Sequence, residues 1–163
     1  FFNDRDKKTG KVFTVLYDIQ NNQRIREYRF EDTPVGNGGV CPIGGSFLAI
    51  NYARMARLRA VTGYKGTTDW TEGITAPKDD GIFIIDINSG KKKLLVSFNT
   101  MQEEIVKNGI DTEGESLFIN HTLWNRDGNL FCFFIRAGWK KDGREKKDEK
   151  TGGRRRDRSK ETR

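Results

Sequence analysis

A single histidine is the residue of this chain whose side chain most readily binds metals or transfers protons. His121 has no second histidine anywhere in the 163 residues, and the two cysteines, Cys41 and Cys132, have no spacing typical of a zinc site. One imidazole without convergent partners makes a poor metal site. Two interpretations of His121 therefore stay open: a side chain that faces a binding site, and a structural histidine whose nitrogens are hydrogen-bonded within the fold.

Three arginines that lie close together in the sequence form the second candidate group. They are Arg54, Arg57 and Arg59. A guanidinium group donates paired hydrogen bonds to a carboxylate or a sulfate, so such a group suits an acidic sugar. The alternative is that these arginines lie over aromatic side chains or pair with aspartates. An arginine removes a proton as a catalytic base only in a specially tuned site.

Trp70 lies in the sequence between two acidic residues, Asp69 and Glu72. An aromatic ring beside carboxylates can stack on a sugar ring. A tryptophan in a loop can equally anchor that loop to its own domain, and the sequence favours neither interpretation. The glycine-rich segment 36–39 is not a phosphate-binding loop, because the GxxxxGK[ST] pattern and its following helix are missing.

The fold that must position these residues is predicted to be all-β from its hairpin signals. Two segments, 12–18 and 81–87, are rich in β-branched and aromatic residues and close with an aspartate before a polar turn. A second strand is expected after each turn, over 24–30 and over 93–98. The closing aspartate of each first strand is expected to accept hydrogen bonds from turn amides.

A second kind of hairpin also occurs twice in the sequence. The segments 41–51 and 124–134 each have a glycine in fifth position, which supplies the positive φ of a tight turn, and then a strongly apolar strand. The two kinds of hairpin alternate along the chain. Repeated four-stranded antiparallel units of this kind are typical of the blades of a β-propeller.

Two segments fall outside the hairpin pattern. Residues 100–108 predict a helix that is capped by Thr100 and ended by Gly109. Residues 53–80 predict a long inserted loop, whose first part, 53–59, is either a short helix or an extended run. Long ordered loops in small domains often carry function.

Three stretches, 50–64, 79–91 and 120–136, resemble a family of periplasmic or secreted β-propellers related to TolB-type propellers and, more distantly, to oligogalacturonate lyases. Their more specific parts are an Ala-Arg-x-x-Arg-Leu-Arg segment and the Asn-His pair that ends at His121. The resemblance implies an all-β partial β-propeller over residues 1–139, with about two antiparallel four-stranded blades and one short helix. Because such propellers close with more blades, the chain is expected to be part of a larger propeller.

The same resemblance implies roles for the candidate residues. In oligogalacturonate lyases several histidines and a glutamine hold a metal, and a divalent ion such as manganese is expected. His121 resembles the first of those ligands, whereas the others would lie beyond the end of this chain. Arg57 is the candidate catalytic base for β-elimination, and the candidate substrate contacts are Arg54, Arg59 and Trp70. Because most of that machinery is missing here, the expected function is binding of an acidic oligosaccharide, in a periplasmic or secreted protein.

The alternative functions are a propeller scaffold for a protein partner and, less favoured, a nucleic-acid binder. Residues 140–163 hold 12 of the 30 Lys and Arg and 6 of the 23 Asp and Glu, so they account for +6 of the net charge of +7. This segment has almost no apolar residue and is predicted to be a disordered tail. It lacks aromatic residues that could stack on bases, which disfavours nucleic-acid binding. No apolar run approaches the roughly 18 residues of a membrane-spanning helix.

Overall fold

Three antiparallel β-sheets and two helices make up the part of the chain that the structure describes. The computed structural model describes residues 1–59 and 61–137, and the predicted tail at 140–163 lies outside them. The first sheet holds β1 (Phe2–Arg5), β2 (Val12–Asp18) and β3 (Gln23–Tyr28); the central sheet holds β4 (Gly36–Val40), β5 (Ser46–Ile50), β6 (Gly81–Asp86) and β7 (Lys92–Ser97); the third sheet holds β8 (Phe118–Trp124) and β9 (Phe131–Arg136). The helices are α1 (Tyr52–Leu58) and α2 (Phe98–Lys107). The expectation of a mainly β protein is confirmed, with two helices where one was expected.

The hairpins that close with an aspartate form as predicted. β2 pairs with β3, and β6 pairs with β7, both in antiparallel register. The Asp18 carboxylate accepts hydrogen bonds from the backbone N–H groups of Gln20 and Asn21 at 2.9 and 3.1 Å, and the Asp86 carboxylate accepts one from Ser89 at 2.6 Å. These bonds satisfy turn amides that have no partner in the strand ladder.

The hairpins with a glycine turn also form as predicted. Gly45 lies between β4 and β5, and Gly128 lies between β8 and β9, with φ angles of 79° and 66°. Both values fall in the left-handed region, which glycine adopts without steric cost. The backbone hydrogen bonds that close the two turns measure 3.0 and 2.9 Å.

The inner strand β5 of the central sheet is buried on both of its faces. Along β5, Phe47 and Ala49 join a core that also includes Tyr28 of the first sheet, whereas Leu48 and Ile50 join a core with residues of α2 and β8. Consecutive residues of a strand point to opposite faces, so a strand that is covered on both sides must be apolar throughout. The central sheet is therefore packed between the first and the third sheets.

The glycine-rich strand β4 was not predicted, because its residues show no alternation of apolar side chains. Contacts from both neighbouring sheets set its position. The backbone N–H of Asn37 is shared between Asn3 Oδ1 at 2.7 Å and Thr14 Oγ1 at 2.8 Å in the first sheet. From the third sheet, Trp124 Nε1 donates to the Gly39 carbonyl at 3.0 Å. The glycine-rich segment 36–39 therefore lies in an edge strand of the central sheet, and the three sheets meet at this strand.

Both helices begin at a side chain that caps them. α1 begins after Asn51, whose Oδ1 accepts the Arg54 N–H at 2.9 Å, so residues 53–58 are helical and not extended. α2 begins after Ser97, whose Oγ accepts the Thr100 N–H at 3.1 Å. The prediction that Thr100 is the cap is wrong. The helix begins one turn earlier, at Phe98, and Thr100 lies inside its first turn with its N–H bound by Ser97. Neither helix of the described residues is long and apolar enough to cross a bilayer.

Candidate functional site

A cavity of about 510 Å³ lies between α1 and the loop that follows it. Within the described residues, the segment from Arg59 to Asp80 contains no helix or strand. The α1 wall of the cavity carries Ala53, Ala56 and Arg57, and the loop supplies the opposite wall. The two alanines leave room beside the helix, so the cavity depends on small side chains at the helix surface.

The loop wall brings an aromatic ring, charges and hydroxyl groups to the cavity. Its side chains are those of Tyr64, Lys65, Thr67, Thr68, Asp69 and Glu72. The Tyr64 ring meets the ring of Tyr52 edge to face, with 5.4 Å between centroids. Tyr52 is anchored in turn, because its hydroxyl donates to the Asn37 carbonyl at 3.0 Å. An aromatic ring among polar groups is typical of sites for polar, ring-shaped ligands.

Arg57 is held in the cavity wall by an ion pair with Asp69. Its Nε donates to Asp69 Oδ2 at 2.8 Å, and the side chains are 27% and 2% exposed, respectively. Burial acts to raise the pKa of Asp69, but hydrogen bonds from Thr71, Arg57 and Asn51 outweigh it and lower that pKa below its ordinary value. Asp69 is therefore ionised at neutral pH and forms a partly buried ion pair with Arg57.

A second carboxylate, that of Asp80, is joined to Asp69 through Asn51. The Asn51 amide nitrogen donates to Asp69 Oδ1 at 2.9 Å and to Asp80 Oδ2 at 2.8 Å. Asp80 Oδ1 accepts the Gly81 N–H at 2.7 Å. Asp80 is completely buried, and this burial raises its pKa to about 7. Asp80 is thus a group of this network whose charge changes near neutral pH.

Arg54 lies outside the cavity wall and is completely buried. Its guanidinium donates to the Leu117 carbonyl at 2.6 Å, to Thr71 Oγ1 at 2.8 Å and to the Ile74 carbonyl at 3.0 Å. It also lies over the ring of Phe98, 4.8 Å from the centroid. Because all these partners belong to the protein, the structure favours a role for Arg54 in joining α1 to the loop over the predicted substrate contact.

The other two predicted substrate contacts also lie outside the cavity wall. Arg59 follows the last turn of α1, where its backbone N–H donates to the Met55 carbonyl at 2.8 Å and the residue is half-buried. Trp70 packs against the core between the first and central sheets. This position favours the interpretation in which Trp70 anchors the loop. Of the predicted catalytic and substrate-binding residues, the structure thus brings Arg57 to the cavity wall, together with Asp69 and Glu72, the acidic residues on either side of Trp70 in the sequence.

His121 lies on β8, exposed to solvent and outside the cavity wall. It is paired in register with Phe134, and the two rings meet edge to face at 6.3 Å. Among residues 1–59 and 61–137, no group of three or more His, Cys, Asp or Glu side chains could hold a metal ion. The described residues thus do not assemble the manganese site that the resemblance implies around His121.

Sequence reasoning did not single out Asn51, Tyr64 or Asp80. One signal was available, since an asparagine directly before an apolar helical segment is typical of a helix N-cap and so marks Asn51. No local signal marks Asp80. Its neighbour Asp79 has the same side chain and is exposed, and only packing distinguishes the two.

Comparison of the chain with protein-family models, with curated proteins and with solved structures gave no match. The functional interpretation of the cavity rests on its own residues and their contacts.

Proposed function

We propose that this protein is a carbohydrate-associated β-propeller protein that binds an acidic oligosaccharide in the cavity between α1 and the loop. The observation that carries the proposal is the environment of Arg57. Its Nε is bound by Asp69, while its Nη2 is buried and has no hydrogen-bond partner among the described residues. A buried donor without an acceptor costs free energy, and because the Arg57 side chain is 27% exposed, a small rotation of its guanidinium toward a ligand carboxylate in the cavity would supply that acceptor.

Four other groups of the cavity wall suit a uronate sugar, whereas the carboxylate of Glu72 would repel it. Lys65 adds a second positive charge, and Tyr64 offers a ring of the kind that stacks on sugars. The hydroxyls of Thr67 and Thr68 donate to the backbone carbonyls of Tyr64 and Thr9, and their oxygens can accept hydrogen bonds from sugar hydroxyls. The volume of about 510 Å³ lies in the range of sites for small ligands.

The propeller part of the proposal is supported by the central sheet. Its strands pair in chain order, β4-β5-β6-β7, as a four-stranded antiparallel meander. This is the arrangement of a propeller blade. Residues of the first and third sheets cover its two faces, as neighbouring blades would. In this proposal those sheets, with three and two strands in the described part of the chain, are the adjoining blades.

Arg57 acts in this proposal as a binding group and not as a base. A guanidinium stays protonated in proteins, whereas a base must be free to accept a proton. A protonated guanidinium beside a cavity provides a fixed positive charge and directed N–H donors. Recognition of a carboxylate is therefore the chemistry that this arrangement can supply.

Titration calorimetry with trigalacturonate tests the proposal. We expect saturable binding by the full chain and a loss of about tenfold or more in affinity for Arg57→Gln, since a hydrogen bond to a charged group contributes roughly 1.5–3 kcal/mol. Arg126→Gln is the matched control because Arg126 is exposed in the turn between β8 and β9, and it should bind like the unmodified chain.

The neutral trisaccharide maltotriose provides the second comparison. It has no carboxylate, so we expect its affinity to be at least about tenfold lower than that of trigalacturonate. Equal affinity for the two sugars would contradict the proposal. Equal affinity of Arg57→Gln and Arg126→Gln for trigalacturonate would contradict it as well.

A second candidate function, a scaffold that binds a protein partner, is favoured by the third sheet. Leu123, Leu130 and Phe134 are 68%, 68% and 57% exposed, and within the described residues β9 pairs with β8 alone. Exposed apolar side chains beside an unpaired strand edge are typical of protein-binding surfaces. A saturable complex with a folded protein that is lost in Phe134→Lys and retained in Arg57→Gln would favour this function.

A further inference from the structure

We propose that Asn51 and Asp80 are positioning residues for Arg57, and that the charge of Asp80 sets the affinity of the cavity for an anion. The inference rests on the proposed function, which places an anion at Arg57. Three consecutive side-chain hydrogen bonds connect Asp80 to Arg57. They run from Asp80 to Asn51 at 2.8 Å, from Asn51 to Asp69 at 2.9 Å and from Asp69 to Arg57 at 2.8 Å.

Asn51 uses every polar group of its side chain in this network. Its Oδ1 accepts the Arg54 N–H as the cap of α1, and its Nδ2 donates one hydrogen to Asp69 and one to Asp80. Rotation of the amide by half a turn would place its oxygen against two carboxylates and its nitrogen against an N–H group. The cap therefore fixes the amide, and the amide fixes the two carboxylates relative to Arg57.

Charged groups approach Asp80 from three elements. α1 contributes Arg54, the loop contributes Asp69, and β7 contributes Lys92. Lys92 is engaged elsewhere, since its ammonium group donates to Thr33 and lies over two aromatic rings. When Asp80 is ionised, its charge and that of Asp69 balance Arg54 and Arg57. When Asp80 is protonated, the network has one net positive charge.

Protonation of Asp80 should therefore strengthen the binding of an anion at Arg57. By linkage, a bound anion favours the protonated form of Asp80, so binding takes up protons near neutral pH. Because burial raises the pKa of Asp80 to about 7, the change in affinity should fall between about pH 6 and 8. One charge at roughly 10 Å, with an effective dielectric constant of about 20, changes an affinity by roughly fifteenfold, and salt screening reduces this value.

The first test measures the affinity for trigalacturonate by calorimetry from about pH 5.5 to 8.5, where uronate carboxyl groups stay ionised. In the unmodified chain the affinity should fall about threefold to tenfold as the pH rises through about 7. In Asp80→Asn, which is neutral at position 80 at every pH, the fall in affinity through about pH 7 should be lost. If Asp80 had a purely structural role, the substitution Asp80→Asn would lower stability without changing how the affinity depends on pH. Identical pH profiles of affinity in the two proteins would therefore overturn the inference.

Further comparisons test whether the pH dependence of the affinity comes from Asp80. His121→Gln removes the only histidine of the chain, so the pH dependence must persist in this variant. Lys92, whose pKa is lowered to about 8 by burial, is present in both the unmodified chain and Asp80→Asn. The Asp80 charge acts to raise the pKa of Lys92, so Lys92→Gln is a third comparison, and its affinity must still fall as the pH rises through about 7. Loss of the pH dependence in His121→Gln would also overturn the inference.

An NMR titration of the full chain gives a readout that needs neither a variant nor a sugar. The ¹³C resonance of the Asp80 carboxyl group reports its own ionisation, and the Nε–Hε resonance of Arg57 should shift with the same midpoint. A titrating Asp80 with an unmoved Arg57 resonance overturns the inference. If trigalacturonate binds at no pH, the proposed function fails, and the shared midpoint still decides whether Asp80 acts on Arg57.

Discussion

The hydroxyl of Thr122 on β8 donates a hydrogen bond of 2.8 Å to the carbonyl of Gly38 on β4, and this bond joins the third sheet to the central sheet. The two strands approach so closely that a Cβ atom on Gly38 would lie 2.6 Å from Thr122 Oγ1. Glycine at this position is therefore required by the contact between sheets. The same contact holds β4 in place although β4 has few apolar side chains of its own.

We predict that Gly38→Ala lowers the free energy of unfolding by about 1–3 kcal/mol, as other overpacked sites do. Thr122→Ala removes the clashing oxygen, so the double variant should lose less stability than the sum of the two single changes. Urea denaturation of the three variants measures this coupling. Additive losses would show that the two side chains do not meet.

Replacement of Arg54 should be far more damaging than replacement of an exposed arginine. Arg54→Gln leaves buried carbonyls, including that of Leu117, without a donor, and we expect it to cost about 3 kcal/mol or more. Arg126→Gln changes the same side chain on the surface and should stay within about 0.5 kcal/mol of the unmodified chain. Thermal or urea denaturation compares the two, and equal effects would contradict the buried position of Arg54.

Stability should fall as the pH rises through the neutral range. Burial raises the folded-state pKa of Asp80 to about 7 from an ordinary value of 3.8, so the folded state binds a proton that the unfolded state has lost. The stabilisation is complete below about pH 4 and is lost as the pH rises through about 7. We expect the free energy of unfolding to drop by on the order of a few kcal/mol from pH 5 to pH 8.

The same pH series on Asp80→Asn separates this effect from those of other groups. The variant cannot ionise at position 80, so its stability should change much less over the interval. His121→Gln should keep the full pH dependence. A profile for Asp80→Asn as steep as that of the unmodified chain would mean that another group causes the change.

The caps of α2 allow a direct comparison between two neighbouring hydroxyl side chains. Ser97 accepts the Thr100 N–H at the start of the helix, so Ser97→Ala should cost about 1 kcal/mol of stability. Thr100→Ala, inside the first turn, should change it by only a few tenths of a kcal/mol. Chemical denaturation distinguishes them, and a larger loss for Thr100→Ala would support the cap that the sequence pattern indicated.

Turns were predictable from the sequence because their conformation depends on a few consecutive residues. Asp18 and Asp86 were expected to bind turn amides and do so, and Gly45 and Gly128 were expected to adopt positive φ angles and do so. The strands that flank these turns were recognisable from their apolar residues. The sequence by itself thus determined the hairpins and the mainly β character of the chain.

Only the tertiary structure decided which polar residues form the site. Arg54 and Arg57 have the same side chain and lie one turn apart on α1, yet packing buries one completely and places the other in the cavity wall. β4 is a strand because two other sheets contact its backbone. Asp80 differs from Asp79 only through burial. Burial depends on chain segments distant in sequence, so no local pattern determines it.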